Sequence, residues 1–466
     1  MSPLDTLELK TVVGHIAAAA PAWPALGALL ISALALRGRH LSEQAIVVIA
    51  QAALWGAFFC VVVGSVGYLL HGAPLDVRLG HFYKAGDYGF ELVFLYDGLS
   101  APVALLAALL LLATSRFSVH YLHREPGFLR FFLLMLTFGA GILLLVLGGT
   151  YDLLLAGWEI VGLTSVLLVG FFHERAGPAR ASLRVLVTYR ICDIGLLLAA
   201  VSLHLSLHTT VFVELASRLR APPADFPALA VGLLLLFAAM GKSAQFPVGG
   251  WLPRAMEGPT ASSAVFYGGL SVHAGIYLLI RSAPILSQSP LVGLALVAVG
   301  TVTAVMATLS GHVSADAKTG IAYATISQVA LMVVECGLGL YRVATLHLLA
   351  HALLRYYQFL RAPSALQDAL ARRAALGGVA GSHNAPRWRQ LPVDLRRFLY
   401  RLAVERFEVE AALDRWGTRP VLALSRWLSE LEARLVAGLA AEPESRPPTP
   451  RTAAGAARRD GQDGPT

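Results

Sequence analysis

Between Ala25 and Leu360 the chain is a succession of apolar runs that repeat every twenty to forty residues, with short polar stretches between them. After Arg361 the runs stop. About 20 predominantly apolar residues carry a helix across a bilayer. The pattern predicts eleven spans, near residues 22–36, 46–70, 98–115, 128–148, 151–172, 183–206, 226–245, 260–280, 290–309, 320–339 and 343–360, the first of them short. Between the seventh and eighth, Gly241-Lys-Ser-Ala-Gln-Phe-Pro247 and Gly258-Pro-Thr260 interrupt the apolar sequence. Such interruption at membrane depth marks a broken helix beside an ion or substrate path. The expected fold class is therefore all-α: a polytopic membrane helix bundle of about eleven spans with a broken seventh helix.

Beyond Leu360 the period changes. Leu395, Phe398, Leu399 and Leu402 recur at three- and four-residue steps, as do Leu424, Trp427, Leu428, Leu431 and Leu435. Residues 392–440 thus read as two amphipathic helices broken near Gly417 to Pro420, suited to a membrane surface or a partner subunit. From Glu442 to Thr466 the Pro, Gly, Ala and Arg content predicts disorder.

Composition excludes one class. The chain is 56% hydrophobic and 14% charged, against about 25% charged in soluble globular proteins, so a soluble enzyme with one large core is ruled out. Lys and Arg total 37, of which only Lys10, Lys84, Lys242 and Lys318 are lysines, and 17 of the 37 lie after Leu360. The net charge of +8 belongs mostly to tail and loops. No base-reading motif accompanies it, so no nucleic-acid partner is expected. Odd-numbered loops hold about ten Lys and Arg, among them Arg37, Arg39, Arg116, Arg124, Arg130, Arg175, Arg180 and Arg184, against about seven in the even-numbered loops and amino terminus. The positive-inside rule puts the tail in the cytoplasm and the amino terminus outside, in the cell inner (plasma) membrane.

Cys60, Cys192 and Cys336 each sit in an apolar run without CxxC or Cys/His spacing and read as small buried hydrophobes. No basic leader with a cleavage site precedes the first run, so no removed signal peptide is expected. There is no phosphate-cradling loop and no metal framework. No cofactor and no metal are expected.

Ionisable residues inside spans cost about 2.5–3.5 kcal/mol each at mid-bilayer on insertion scales, which makes them functional candidates by default. Glu159 lies a third of the way into the fifth span, and Arg190 and Asp193 share one face of the sixth. Lys242 ends the apolar run Leu233 to Met240, Tyr267 and His273 lie in the eighth span, and Asp316 and Lys318 lie just before the tenth. His347, His351 and Arg355, four residues apart in the eleventh, line one stripe. Plainer readings stand beside these. Arg190 and Asp193 suit a structural ion pair, and Glu159 suits a helix brace. The two histidines suit zinc, although no third ligand is nearby. Lys242 is the hardest to read blandly, because a desolvated Lys can lose its proton whereas Arg effectively cannot.

At these residues the sequence resembles the antiporter-like membrane subunits of respiratory complex I, the L-type (chain 5) subunit in particular, and the related Mrp antiporter subunits. The resemblance is carried by Tyr96-Asp-Gly-Leu-Ser100, Gly157-Trp-Glu-Ile-Val-Gly162 with Gly170-Phe-Phe172, and Gly241 through Pro247. It continues in Trp251-Leu252, Ala255-Met256, Gly258-Pro-Thr260, Asp316-Ala-Lys318, Ala322-Tyr323, Ser327-Gln328 and His347-Leu-Leu-Ala-His351. It covers roughly residues 90–360, in order and with matching spacing. It implies two inverted five-helix repeats, each with a broken helix. The expected organisation is then N-terminal spans over 1–125, a first repeat over 126–285 and a partial second over 286–360. Amphipathic helices over 361–441 and a disordered tail over 442–466 follow.

The resemblance also implies a proton-translocating subunit of a complex I-like or Mrp-like assembly. Its partners would be other membrane subunits, the lipid bilayer, and protons or Na+, and any redox chemistry would belong to those subunits. Glu159 and Lys242 carry the family's functional pair, Asp193 its sixth-span Asp, and His347 and His351 its eleventh-span histidines. Arg190, His273, Lys318 and Arg355 complete the expected path. The sequence departs from the family at Tyr267, where His is usual, and at Arg355, where Lys is usual. It departs again at Leu360, where family members continue for several more spans. Two other functions stay open: a proton-conducting subunit of a DAB-type inorganic-carbon pump, and a non-conducting membrane assembly protein.

Overall fold

A computed structural model of the chain describes residues 3–38, 41–86, 88–314, 316–362, 392–413, 415–416 and 419–440. Residues up to Glu408 form one compact unit and those from Val409 a second. The expected disordered segment 442–466 lies outside the described residues, as does 363–391 of the expected amphipathic region.

The first unit is a bundle of helices. It opens with α1 (Pro3–Ala18), α2 (Ala22–Leu36) and α3 (Glu43–His71). Ser42 caps α3 by accepting from Ala45 N at 3.2 Å, and Gly72 closes it at φ 62°, the left-handed conformation that glycine takes without strain. A hairpin follows, β1 (Leu75–Ala85) and β2 (Tyr88–Tyr96), antiparallel with Leu75 opposite Tyr96 and Val77 opposite Phe94. Then come α4 (Ser100–Tyr121), α5 (Phe128–Leu147), α6 (Tyr151–Val169), α7 (Ala176–Leu207), α8 (Phe212–Arg218) and α9 (Ala228–Lys242). After α9 the chain is irregular: α10 (Trp251–Arg254), a 3-10 turn (Ala255–Glu257), α11 (Thr260–Ser262), a π turn (Ser263–Gly269), a 3-10 turn (Ser271–His273), α12 (Ala274–Arg281) and α13 (Ala283–Leu286). Three long helices follow, α14 (Pro290–His312), α15 (Ala317–Gly337) and α16 (Tyr341–Arg361), and Val393–Val404 then packs on α14.

All eleven windows contain helix, and the fold is an all-α polytopic bundle apart from the hairpin. Among the described residues, nine helices are long and apolar enough to cross a membrane. The first reaches back to Lys10 rather than starting at 22. Two expected spans are not among the nine, for physical reasons. α9 has 15 residues, which at 1.5 Å each gives about 22 Å, because the chain breaks at Lys242. α16 is long enough but carries Arg342, His347, His351, Arg355 and Arg361.

The eighth window was expected as one helix. It changes helix type three times instead. Gly268 and Gly275 sit where other backbones come close: a Cβ on Gly268 would lie 3.1 Å from Arg355 O, and one on Gly275 2.8 Å from Ala239 O. Packing this tight moves the hydrogen-bond register off the regular helix, and π turns recur at functional sites.

In the second unit, Val409–Leu413 and Arg419–Ala440 are helical. Leu424, Trp427, Leu428, Leu431 and Leu435 are exposed along the longer helix.

Candidate functional site

Three helices meet around Lys242. α6 brings Glu159, α7 brings Arg190 and Asp193, and α9 ends on Lys242. Small residues permit the approach. A Cβ on Gly241 would overlap Cys192 of α7, one on Gly195 would run into Leu234 O of α9, and one on Gly162 of α6 would overlap Lys242 Nζ. Lys242 is consequently 0% exposed.

The carboxylate beside that ammonium is Asp193, with Oδ1 at 3.7 Å from Nζ. Nζ makes no hydrogen bond among the described residues. It lies 4.0 Å from the Tyr189 ring centroid and 5.1 Å from that of Trp158, the placement of a cation over aromatic faces. Asp193 is held from two other sides. Trp158 Nε1 donates to Oδ1 at 2.5 Å, and Arg190 Nη2 donates to Oδ2 at 2.8 Å. Arg190 also ion-pairs with Glu159. Glu159 and Lys242, the functional pair implied by the resemblance, thus stand at the two ends of a four-membered row, Glu159–Arg190–Asp193–Lys242. One half of the row is buried and the other part-exposed: Lys242 and Asp193 are buried, Arg190 is 47% exposed and Glu159 35%.

A second cluster joins the irregular eighth span to α16. His273 Nε2 and His351 Nδ1 are 2.9 Å apart, and Arg355 Nε donates to His351 Nε2 at 3.1 Å. A guanidinium only donates, so Nε2 of His351 is the acceptor. In the neutral ring the proton then sits on Nδ1 and points at His273 Nε2, which leaves His273 its own proton on Nδ1. The Arg in place of the family's Lys therefore fixes the direction in which this pair donates. The hydroxyls of Ser165 on α6 and Ser271, two residues before His273, lie 3.4 Å apart.

The remaining candidates are placed elsewhere. Lys318 Nζ donates to Met256 O at 3.1 Å and Gly258 O at 3.3 Å, satisfying carbonyls left free where the chain is broken. Asp316 caps α15 by accepting from Thr319 N at 2.8 Å. His347 is held by Glu335 of α15, with Nδ1 2.9 Å from Oε1. Tyr267 is buried, and its hydroxyl has no hydrogen-bond partner among the described residues.

Reading the sequence by depth missed several groups. Glu335 sits inside the tenth window and the same sorting of charges should have found it. Trp158 and Tyr189 are ordinary apolar-face residues until the fold sets them on Asp193 and Lys242. Arg281 ends the eighth span and was not singled out. Its Nη1 is 2.5 Å from Asp97 Oδ2, and its Nη2 is 3.1 Å from Oδ1 and 2.8 Å from Tyr277 Oη. Burial alone would raise the Asp97 carboxyl. Arg281 and the backbone N–H groups of Ser100 and Leu99 outweigh it and hold that carboxyl below the usual carboxylate range.

Two families match this chain. One, described as NADH:quinone oxidoreductase/Mrp antiporter, transmembrane, matches residues 151–376; the other, NADH-ubiquinone oxidoreductase (complex I), chain 5 N-terminus, matches residues 82–132. Over 248 residues the chain is 40% identical to NADH-quinone oxidoreductase subunit L of Mycobacterium tuberculosis, covering 52% of this chain and 39% of that protein. Over 278 residues it is 37% identical to the probable inorganic carbon transporter subunit DabB1 of Halothiobacillus neapolitanus, covering 59% of this chain and 50% of that one. Among solved structures, a chain of the Mrp complex from Dietzia sp. DQ12-45-1b superposes with a TM-score of 0.64 at 29% identity, covering 75% of this chain and 37% of that one. The chain spans about half the length of the curated relatives it matches.

Proposed function

From a chain that belongs to the antiporter-like membrane subunit family of complex I and Mrp antiporters, we propose a proton-translocating subunit of a complex I-like or Mrp-like assembly. The observation that carries this reading is Lys242: a fully buried ammonium that, among the described residues, has no hydrogen-bond acceptor and one carboxylate at 3.7 Å. A proton carrier must hold its proton and also release it. An amine set this way is held by distance-dependent attraction rather than by fixed hydrogen bonds.

Arg190 supplies the control. It is shared between Glu159 and Asp193, so its position sets how much of Asp193's charge is left for Lys242. Unit charges at 4 Å attract by about 4 kcal/mol at an effective dielectric of 20, and by about half that at 8 Å. The difference exceeds the 1.36 kcal/mol that separates two protonation states by tenfold. A side-chain shift of a few ångströms is therefore enough to switch Lys242. Ser165 and Ser271 lead from there to His273 and His351.

The half-exposed Glu159–Arg190 pair supports the partner reading. Such charge is costly against lipid, and a neighbouring membrane subunit would cover it. The chain is a multi-pass membrane protein, and we place it in the plasma (inner) membrane with the amino terminus outside and the tail in the cytoplasm. Na+ is the alternative ion, and redox chemistry is assigned to partner subunits.

The 37% identity to an inorganic carbon transporter subunit over half of that protein favours a second reading, the proton-conducting member of a carbon-uptake pump. Two measurements test the proposal. Lys242→Met should abolish proton flux in vesicles containing the purified assembly; unchanged flux would sink it. Co-purification separates the assemblies: quinone-reductase subunits support the first, a zinc carbonic-anhydrase-like protein the second.

A further inference from the structure

The tenth span carries a carboxylate that the path above does not use. Glu335 lies two residues before the end of α15 and accepts from His347 Nδ1 at 2.9 Å. Its second oxygen, Oε2, is buried and has no hydrogen-bond partner among the described residues. Lys318 is the second residue of the same helix. At 1.5 Å per residue the two are about 26 Å apart, close to the ~30 Å hydrocarbon thickness of a bilayer. Glu335 therefore stands at the end of the bundle opposite the break that Lys318 holds.

From Glu335 a row of imidazoles runs inward. His347 lies six residues into α16 and His351 one turn further, with ring centroids 5.9 Å apart and planes nearly perpendicular. His351 then meets His273 at 2.9 Å. The other titratable groups around Glu335 are few. Cys336 adjoins it, and Tyr341 and Arg342 begin α16. α14, packed along α15, has His312 alone, at its far end. α12 brings Tyr277 and Arg281, the latter already bound to Asp97. Arg254, Glu257 and Tyr267 come with the other segments packed on α15.

We propose, resting on the proton-conducting reading above, that Glu335 and His347 form the terminal relay through which protons pass between the histidine row and the Gly337 end of the bundle. A carboxylate oxygen only accepts, so His347 carries its proton on Nδ1 and offers Nε2 to the interior. No hydrogen bond joins His347 to His351 among the described residues, so a bridging water delivers the proton to Nε2, which makes the ring an imidazolium. Nδ1 then passes its proton to Glu335 Oε1, which leaves a neutral imidazole and a neutral carboxylic acid. Rotation of the carboxyl turns its O–H from the ring toward the helix end, where water takes the proton and the carboxylate is restored. A turn of the imidazole returns its N–H to the Glu335 side. The same steps in reverse carry a proton inward.

The test is proton flux in vesicles containing the full chain with its co-purifying membrane partners, read with an internal pH dye over a series of pH values. Glu335→Gln is expected to lower flux about tenfold and to flatten its pH profile, because an amide carries no proton. Glu335→Asp is expected to restore most of the flux with a displaced profile, which a purely structural role would not produce. If Lys242→Met abolishes flux while Glu335→Gln keeps both rate and profile of the wild type, the relay is overturned and the proton-conducting reading stands. If Lys242→Met conducts like the wild type, that reading fails and the relay falls with it. Should Glu335→Gln not fold, His347→Gln carries the same expected tenfold loss, and unchanged flux there overturns the relay.

Discussion

Arg281 and Lys242 are both buried cations, and the fold treats them oppositely. Arg281 is clamped by both oxygens of Asp97 and the Tyr277 hydroxyl, and Tyr277 in turn donates to Val146 O at 2.5 Å. Asp97 also accepts from Leu99 N and Ser100 N, at 3.0 and 2.8 Å. These hydrogen bonds are directional, so the pair fastens the start of α4 to the end of α12, with the rings of Phe212 and Tyr277 also lying against the guanidinium at 5.3 and 5.4 Å. Among the described residues Lys242 has no hydrogen bond, and what it meets is Asp193 and two ring faces. A guanidinium suits the first place because its planar fork matches a carboxylate and it stays charged. An ammonium suits the second because it can exist without its proton.

The sharpest way to break this contrast is to remove each cation. Lys242→Met should cut proton flux by about 10²-fold or more, with thermal unfolding unchanged or raised, since a hydrophobe of similar volume replaces a buried charge while Arg190 and Trp158 still hold Asp193. Arg281→Ala should instead destabilise by about 3–5 kcal/mol by stranding Asp97, measured by denaturation in detergent. Equal stability losses at the two sites would erase the distinction. A smaller effect is expected at Gly162→Ala, whose Cβ would overlap Lys242 Nζ. The tip of a Lys side chain can move aside, so flux should fall about tenfold while the fold survives.

Asp97 gives the clamp a pH signature. Its folded carboxyl is held below its usual range, so its contribution is fully present above about pH 4 and is lost as pH falls through the lowered value. Melting temperature followed downward from pH 5 should drop in the wild type, and Asp97→Asn should flatten that part of the curve. The least effect belongs to Arg78 in the hairpin, 45% exposed and shared among Asp76, Glu91 and Glu214. Arg78→Ala should cost less than about 1 kcal/mol; a larger loss would make the hairpin a second clamp.

The helices were legible in the sequence because burial in lipid demands long apolar runs, and each window holds one. The hairpin was not. Its alternation, Leu75-Asp-Val77-Arg-Leu79, is only half apolar and sits between two louder membrane signals. The type changes in the eighth span were also hidden, since they arise from Gly268 and Gly275 meeting α16 and α9, contacts distant in sequence. Site residues were found one at a time by depth and by resemblance, but their pairing was not. Arg190 lies three residues from Asp193 and was readable as its neighbour, whereas its bond to Glu159 needed α6 and α7 side by side. Glu335 needed the short Leu338–Leu340 turn to set it against His347.

α7 has 32 residues, about 48 Å of helix, which exceeds the hydrocarbon layer by several turns. It must lean or protrude, and the apolar window read for its membrane part, 183–206, is centred near residue 194. Arg190 and Asp193 are the fifteenth and eighteenth of those residues, so the charge row sits near the electrical midpoint of the membrane. A unit charge crossing the whole layer gains about 2.3 kcal/mol per 100 mV, and one reaching the middle about half of that. Voltage alone would then change proton occupancy at the row by about sevenfold per 100 mV.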